Sequence, residues 1–146
     1  MIIWIVLVLI IFFIILGPPE IQSLFGINSS KDPELESFKP ILFQILSKIN
    51  PESAKDIFDV QIRKSSTGTY TLDKRKIYII TEKSNGEKYN KDTILFVLLH
   101  EVAHILSPDE HHTSTFYNIE KRLHREAIKL GFLKRKNVEM DYPCCL

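Results

Sequence analysis

Thr93-Ile-Leu-Phe-Val-Leu-Leu-His-Glu-Val-Ala-His-Ile-Leu106 is an apolar run that carries His100, Glu101 and His104 in the order H-E-x-x-H. Residues four apart lie on one face of a helix, so both imidazoles can reach a single metal ion. Glu101 follows the first histidine directly and can hold a water bound to that ion from the side. The spacing is that of a zinc peptidase helix, with two histidine ligands and a glutamate general base. Zn2+ is therefore the expected cofactor. Ile94, Leu95, Val97, Leu98, Val102, Ile105 and Leu106 make the helix apolar on nearly every side, which predicts that it is buried. Two histidines and a glutamate on a buried helix are costly unless something satisfies them. The bland alternative, a pair of hydrogen-bonded core histidines, would have to account for each of the three separately.

A third ligand follows from periodicity. Ser107-Pro108-Asp109-Glu110 ends the helix, because Pro108 cannot continue it. A second helical pattern then sets Phe116, Ile119, Leu123, Ala127 and Leu130 on one core-facing stripe. Four residues back from Phe116 lies His112, and the neighbouring face leads back to His111. His112 is thus the expected third ligand and His111 its rival, with water in the fourth position. Glu126 near the same stripe is a further candidate ligand; its bland reading is a solvated carboxylate paired with a neighbouring Arg or Lys. Asp109 and Glu110 are expected to cap the second helix. His124, among Lys121, Arg122 and Arg125, reads as a surface histidine. The longer H-E-x-x-H-x-x-G-x-x-H form is absent, since Ser107 and Glu110 occupy its glycine and last histidine positions.

A chain of 146 residues with a formal net charge of +1 fits one domain and carries no strong nucleic-acid signal. The basic run from Lys121 to Lys136 reads as a solvated helix face. Met1 to Leu16 holds no polar or charged side chain, and Gly17-Pro18-Pro19 stops it. Sixteen helical residues span about 24 Å, somewhat short of a hydrocarbon core of about 30 Å. Residues 1–17 are expected to form a single-pass transmembrane anchor that places the protein at a membrane. The alternative is a cleaved signal peptide and a secreted domain; no Lys or Arg precedes the stretch, and no small-x-small cleavage site follows it. Cys144 and Cys145 imply no disulfide framework.

Residues 18–36 read as a linker, and 37–146 as the folded domain. Phe38, Ile41, Leu42, Ile45, Leu46 and Ile49 predict a helix over 36–49 with Pro40 in its first turn. A short helix is expected from Asn50-Pro51 through Val60. Gly68–Leu72 and Lys76–Thr81, separated by Asp73-Lys74-Arg75, read as a hairpin. Asn90 is expected to begin the motif helix. The order predicts an α+β domain. The strand Lys76–Thr81, just before the motif helix, is a candidate edge for pairing with an extended peptide.

The stretch from Lys76-Ile-Tyr-Ile-Ile80 through His100-Glu-Val-Ala-His104 to His112-x-x-x-Phe116 resembles the SprT-like and WLM zinc metallopeptidases, most of all the small versions found in large DNA viruses. The resemblance covers residues 65–132. It implies a zincin-like fold in which His100, His104 and His112 bind zinc and Glu101 is the catalytic base. Cellular members of that family act on proteins, including ones crosslinked to DNA. The N-terminal apolar segment departs from the family pattern. The expectation is a membrane-anchored zinc endopeptidase acting on a protein or peptide substrate. The sequence does not identify an oxyanion partner: Tyr117 and Tyr142 are the candidates, and such a tyrosine is more often structural. The rivals are a non-catalytic membrane-tethered binding module with a structural zinc site, and a zinc hydrolase acting on a non-peptide amide.

Overall fold

The computed structural model describes residues 31–143. Asp32 opens the described fold by accepting hydrogen bonds from the N–H groups of Glu34 and Leu35, which caps a one-turn helix α1 (Pro33–Glu36). Helix α2 (Lys39–Ile49) carries Pro40 in its first turn, where the missing N–H costs nothing, and buries Leu42, Ile45 and Leu46. A 3-10 turn over Ala54–Phe58 leads to three short strands, β1 (Gln61–Lys64), β2 (Tyr70–Leu72) and β3 (Lys76–Ile79). Their order is β1-β3-β2. β1 runs parallel to β3 with Gln61 opposite Lys76, and β2 runs antiparallel to it with Thr71 opposite Ile77.

The motif helix is α3 (Lys91–Leu106). Asn90 caps it by accepting from the N–H and the hydroxyl of Thr93. Helix α4 (Ser114–Lys129) follows, capped by Thr113. Gly131 at φ +80 takes the left-handed conformation that lets the N–H groups of Phe132 and Leu133 reach back to the Ala127 carbonyl. α3 lies between α4 and the strands β2 and β3. This sandwiching is why its sequence is apolar on nearly every side. Leu95, Leu98 and Leu99 are buried together with Leu42, Ile45, Ile77, Ile79, Phe116 and Leu123 in one core.

The last described residues brace the start of α3. The side chain of Asp92 accepts from the Lys134 N–H and from Asn137, and Glu139 accepts from the Asn90 N–H. Glu139 also pairs with Lys83 at 2.7 Å. The Lys83 ammonium holds the Glu139 carboxyl below its usual range.

The expected fold, a zincin-like α+β domain behind an N-terminal transmembrane helix, needs correction. The α+β domain is present. No helix among the described residues is long and apolar enough to cross a membrane, so a spanning helix is not part of the described fold. The apolar helix that is present, α3, has 16 residues, carries His100, Glu101 and His104, and is covered by protein on both sides. The anchor expected over 1–17 lies outside the described residues, as do Cys144 and Cys145. Three further differences concern the domain itself. α1 and the fully buried Leu35 lie in the stretch read as linker, and the compact unit starts at Lys31. Strand β1 was not expected. The Lys76–Thr81 segment cannot supply a free edge, because β3 is the central strand with partners on both sides. The outer strand next to α3 is β2.

Candidate metal centre

His100 and His104 stand one turn apart on α3, and His112 arrives from the loop that precedes α4. The three imidazoles each offer a nitrogen, and these atoms all lie within 4.8 Å of one another. That is close enough to bind a metal ion. The Nε2 atoms of His104 and His112 face each other at 3.0 Å, as a hydrogen bond between rings. The ring centroids are 4.8–5.1 Å apart. His100 is buried, His104 half-buried and His112 exposed, so the group opens toward solvent on the His112 side.

Phe116 is the floor of this group. Its fully buried ring sits 5.1, 4.4 and 4.6 Å from the rings of His100, His104 and His112. Because α4 starts at Ser114, Phe116 lies in its first turn, and the same turn fixes where His112 can reach. Burial, then the neighbouring imidazoles of His100 and His112, which disfavour a further charge beside them, push the imidazole of His104 down to about 4. His104 is therefore neutral at ordinary pH, as a metal ligand must be.

Glu101 is 1% exposed. Thr71 on β2 donates its hydroxyl to Glu101 Oε2 at 2.7 Å and also contacts the Glu101 carbonyl at 3.2 Å. Glu101 and His104 line an open cleft of about 370 Å³, whose other wall is Thr69, Tyr70 and Thr71. Lys74 sits at the end of that wall. Asp73 and Lys74 both adopt positive φ in the β2–β3 turn, and Lys74 Nζ donates to the Ser107 carbonyl at 2.5 Å. The hairpin turn is thereby tied to the last turn of α3.

The cluster brings together His100, His104 and His112, with Glu101 on the helix that carries the first two. His111 is exposed and does not belong to the histidine group. Glu126 also lies outside it and pairs with Lys129 at 3.8 Å. Helix α4 is capped by Thr113 rather than by Asp109 or Glu110; Asp109 instead accepts from the Thr113 hydroxyl. Tyr142 is buried, takes a hydrogen bond from Thr69 and donates to the Ile80 carbonyl, so it is a structural tyrosine. Tyr117 is 54% exposed, with its ring 6.0 Å from that of His112. His124 is not a free surface group: its ring stacks on Phe96 at 4.2 Å and its Nε2 donates to the Phe96 carbonyl.

Two residues of the site went unnoticed in the sequence. One is Thr71. The other is Glu120 on α4, whose Oε1 lies 2.6 Å from His100 Nδ1. Burial raises the Glu120 carboxyl, but the His100 hydrogen bond and the nearby positive charge outweigh this and hold it below the usual range. A further step of four along the His112–Phe116 face reaches Glu120, and that is the signal that could have found it.

The chain is 35% identical to uncharacterized protein 042R of Invertebrate iridescent virus 3 over 79 residues, covering 53% of this chain and 50% of that protein. It is 36% identical to uncharacterized protein 136R of Invertebrate iridescent virus 6 over 66 residues, covering 43% of this chain and 37% of that protein. The matched region thus spans about half or less of these curated relatives, and neither name states an activity. No protein-family model matches the chain, and no solved structure matches it.

Proposed function

We propose that the chain is a zinc-dependent endopeptidase of the SprT-like/WLM kind. His100, His104 and His112 are its ligands and Glu101 its general base. The observation that carries this reading is the convergence of three imidazole nitrogens beside a buried glutamate that is held from a neighbouring strand. Tetrahedral zinc with bonds of about 2.0–2.1 Å to nitrogen sets its ligand atoms roughly 3.3 Å apart. The present spread of up to 4.8 Å, with one pair already at 3.0 Å, asks for side-chain adjustments of an ångström or so. The donor set fits as well. Three neutral imidazoles leave one coordination position open, as catalytic zinc sites do, whereas structural sites close with four protein ligands.

When bound, zinc polarises a carbonyl and makes a water acidic near neutral pH. The chain's own groups do the rest. Glu101 takes a proton from the attacking water and delivers it to the leaving amine nitrogen. Thr71 keeps the carboxylate aimed while the proton is moved. The substrate is an extended peptide. β2 is the outer strand, and its residues Tyr70 and Thr71 line the cleft next to Glu101 and His104. A peptide paired to that edge would cross in front of the histidine group.

The test is zinc binding and peptide cleavage by the full chain beside Glu101→Gln. The reading expects bound Zn2+ in both and cleavage in the unmodified chain only. A folded chain that binds no zinc contradicts it.

A further inference from the structure

We infer that Glu120 is a positioning residue for the metal centre, acting through His100. This rests on the zinc-site reading above. Glu120 Oε1 is 2.6 Å from His100 Nδ1, and the two side chains are 18% and 10% exposed. That is a short, mostly buried contact between a carboxylate and a ring nitrogen. An ionised carboxylate only accepts, so the hydrogen sits on Nδ1 and the ring's lone pair is on Nε2. Glu120 thereby selects the tautomer and leaves Nε2 as the ligand atom.

The placement comes from α4. Phe116 and Glu120 stand four apart on one face of α4, which presents the aromatic floor of the site and the carboxylate, while His112 arrives from the loop just before that helix. Phe116 limits how far the His100 ring can tilt, with its ring 5.1 Å away at 71°. Glu120 holds Nδ1 and so fixes the rotation of the His100 ring about its Cβ–Cγ bond. A carboxylate on the far nitrogen also raises the basicity of a ligating imidazole. Removing it costs metal affinity without touching the metal.

The test is competitive Zn2+ titration of the full chain against a chromophoric chelator, with Glu120→Gln, Glu120→Ala and, as a control on the same helix, Glu126→Gln. Glu120→Ala is expected to weaken zinc binding about 10–100-fold. Glu120→Gln keeps an acceptor of the same shape without charge and should lose roughly tenfold, at the lower end of that range. Glu126→Gln should bind like the unmodified chain. Far-UV circular dichroism checks the fold, and the isosteric Gln variant carries the test if the Ala variant does not fold. A chain that binds zinc equally well with both Glu120 substitutions overturns this inference alone. An unmodified chain that binds no zinc overturns the zinc-site reading and this inference with it.

Discussion

The Thr71 hydroxyl donates to Glu101 Oε2 at 2.7 Å, joining strand β2 to the motif helix at the proposed catalytic carboxylate. On the proposed reading the contact makes one element serve two ends: β2 lines the cleft beside Glu101 and also aims the base. Thr71→Val removes the hydroxyl and keeps the shape. A hydrogen bond to a charged group contributes about 1.5–3 kcal/mol. The variant should therefore lose about 10–100-fold in kcat, while zinc affinity stays within about twofold. Steady-state peptide cleavage beside a chelator titration checks this. Equal kcat in both proteins would remove Thr71 from the machinery.

The proposed third ligand separates two neighbouring histidines. His112 lies in the imidazole group and His111 outside it. His112→Ala should abolish stoichiometric zinc binding at micromolar metal, and His111→Ala should leave it intact. Zinc content after gel filtration decides between them, and the opposite pattern would reassign the ligand.

Tyr142 ties the last described residues to the sheet through Thr69 and the Ile80 carbonyl, at 2.6 and 2.8 Å. Tyr142→Phe strands buried polar partners. It should destabilise the domain by about 1–3 kcal/mol in urea unfolding, with no change in zinc stoichiometry. A large loss of cleavage at full stability would return Tyr142 to the list of oxyanion partners.

The metal-free chain should lose stability in acid through His104. Its imidazole titrates at about 4 in the fold against 6.5 as the ordinary value, because burial and its two histidine neighbours disfavour the charged form. Between those pH values the unfolded chain binds a proton that the folded chain does not. The His104 contribution is thus fully present above pH 6.5 and is lost as pH falls toward 4. In chelator, the drop in urea midpoint from pH 7 to pH 5 should be smaller for His104→Gln than for the unmodified chain. An equal or larger drop would contradict the assignment.

The motif helix was legible because its signals agree. Asn90 caps it, the apolar residues cover most of its faces, and Ser107-Pro108 stops it. His112 was legible because counting back four from Phe116 reaches it, although in the fold it lies in the loop before Thr113 caps α4. β1 was not legible. Gln61-Ile-Arg-Lys64 has one apolar side chain, and its strand character depends on a parallel partner fifteen positions later. Lys76–Thr81 was misread as an edge for a similar reason: a hairpin predicts two strands but not which of them a third will cover. Glu120 was hidden by its surroundings. Lys121, Arg122 and Arg125 make the helix read as solvated, and a carboxylate on its inner side looks no different from one outside. Thr71 was hidden because a threonine in a strand is ordinary, and only the packing of β2 on α3 gives its hydroxyl a partner.

The most direct measurement is bound zinc and peptide cleavage by the full chain and by Glu101→Gln, side by side. The account predicts about one Zn2+ per chain in both proteins and a loss of cleavage of at least 100-fold in the variant, as expected for a general base. Zinc in both with equal cleavage would contradict the assigned role of Glu101, and no zinc in a folded chain would contradict the metal centre itself.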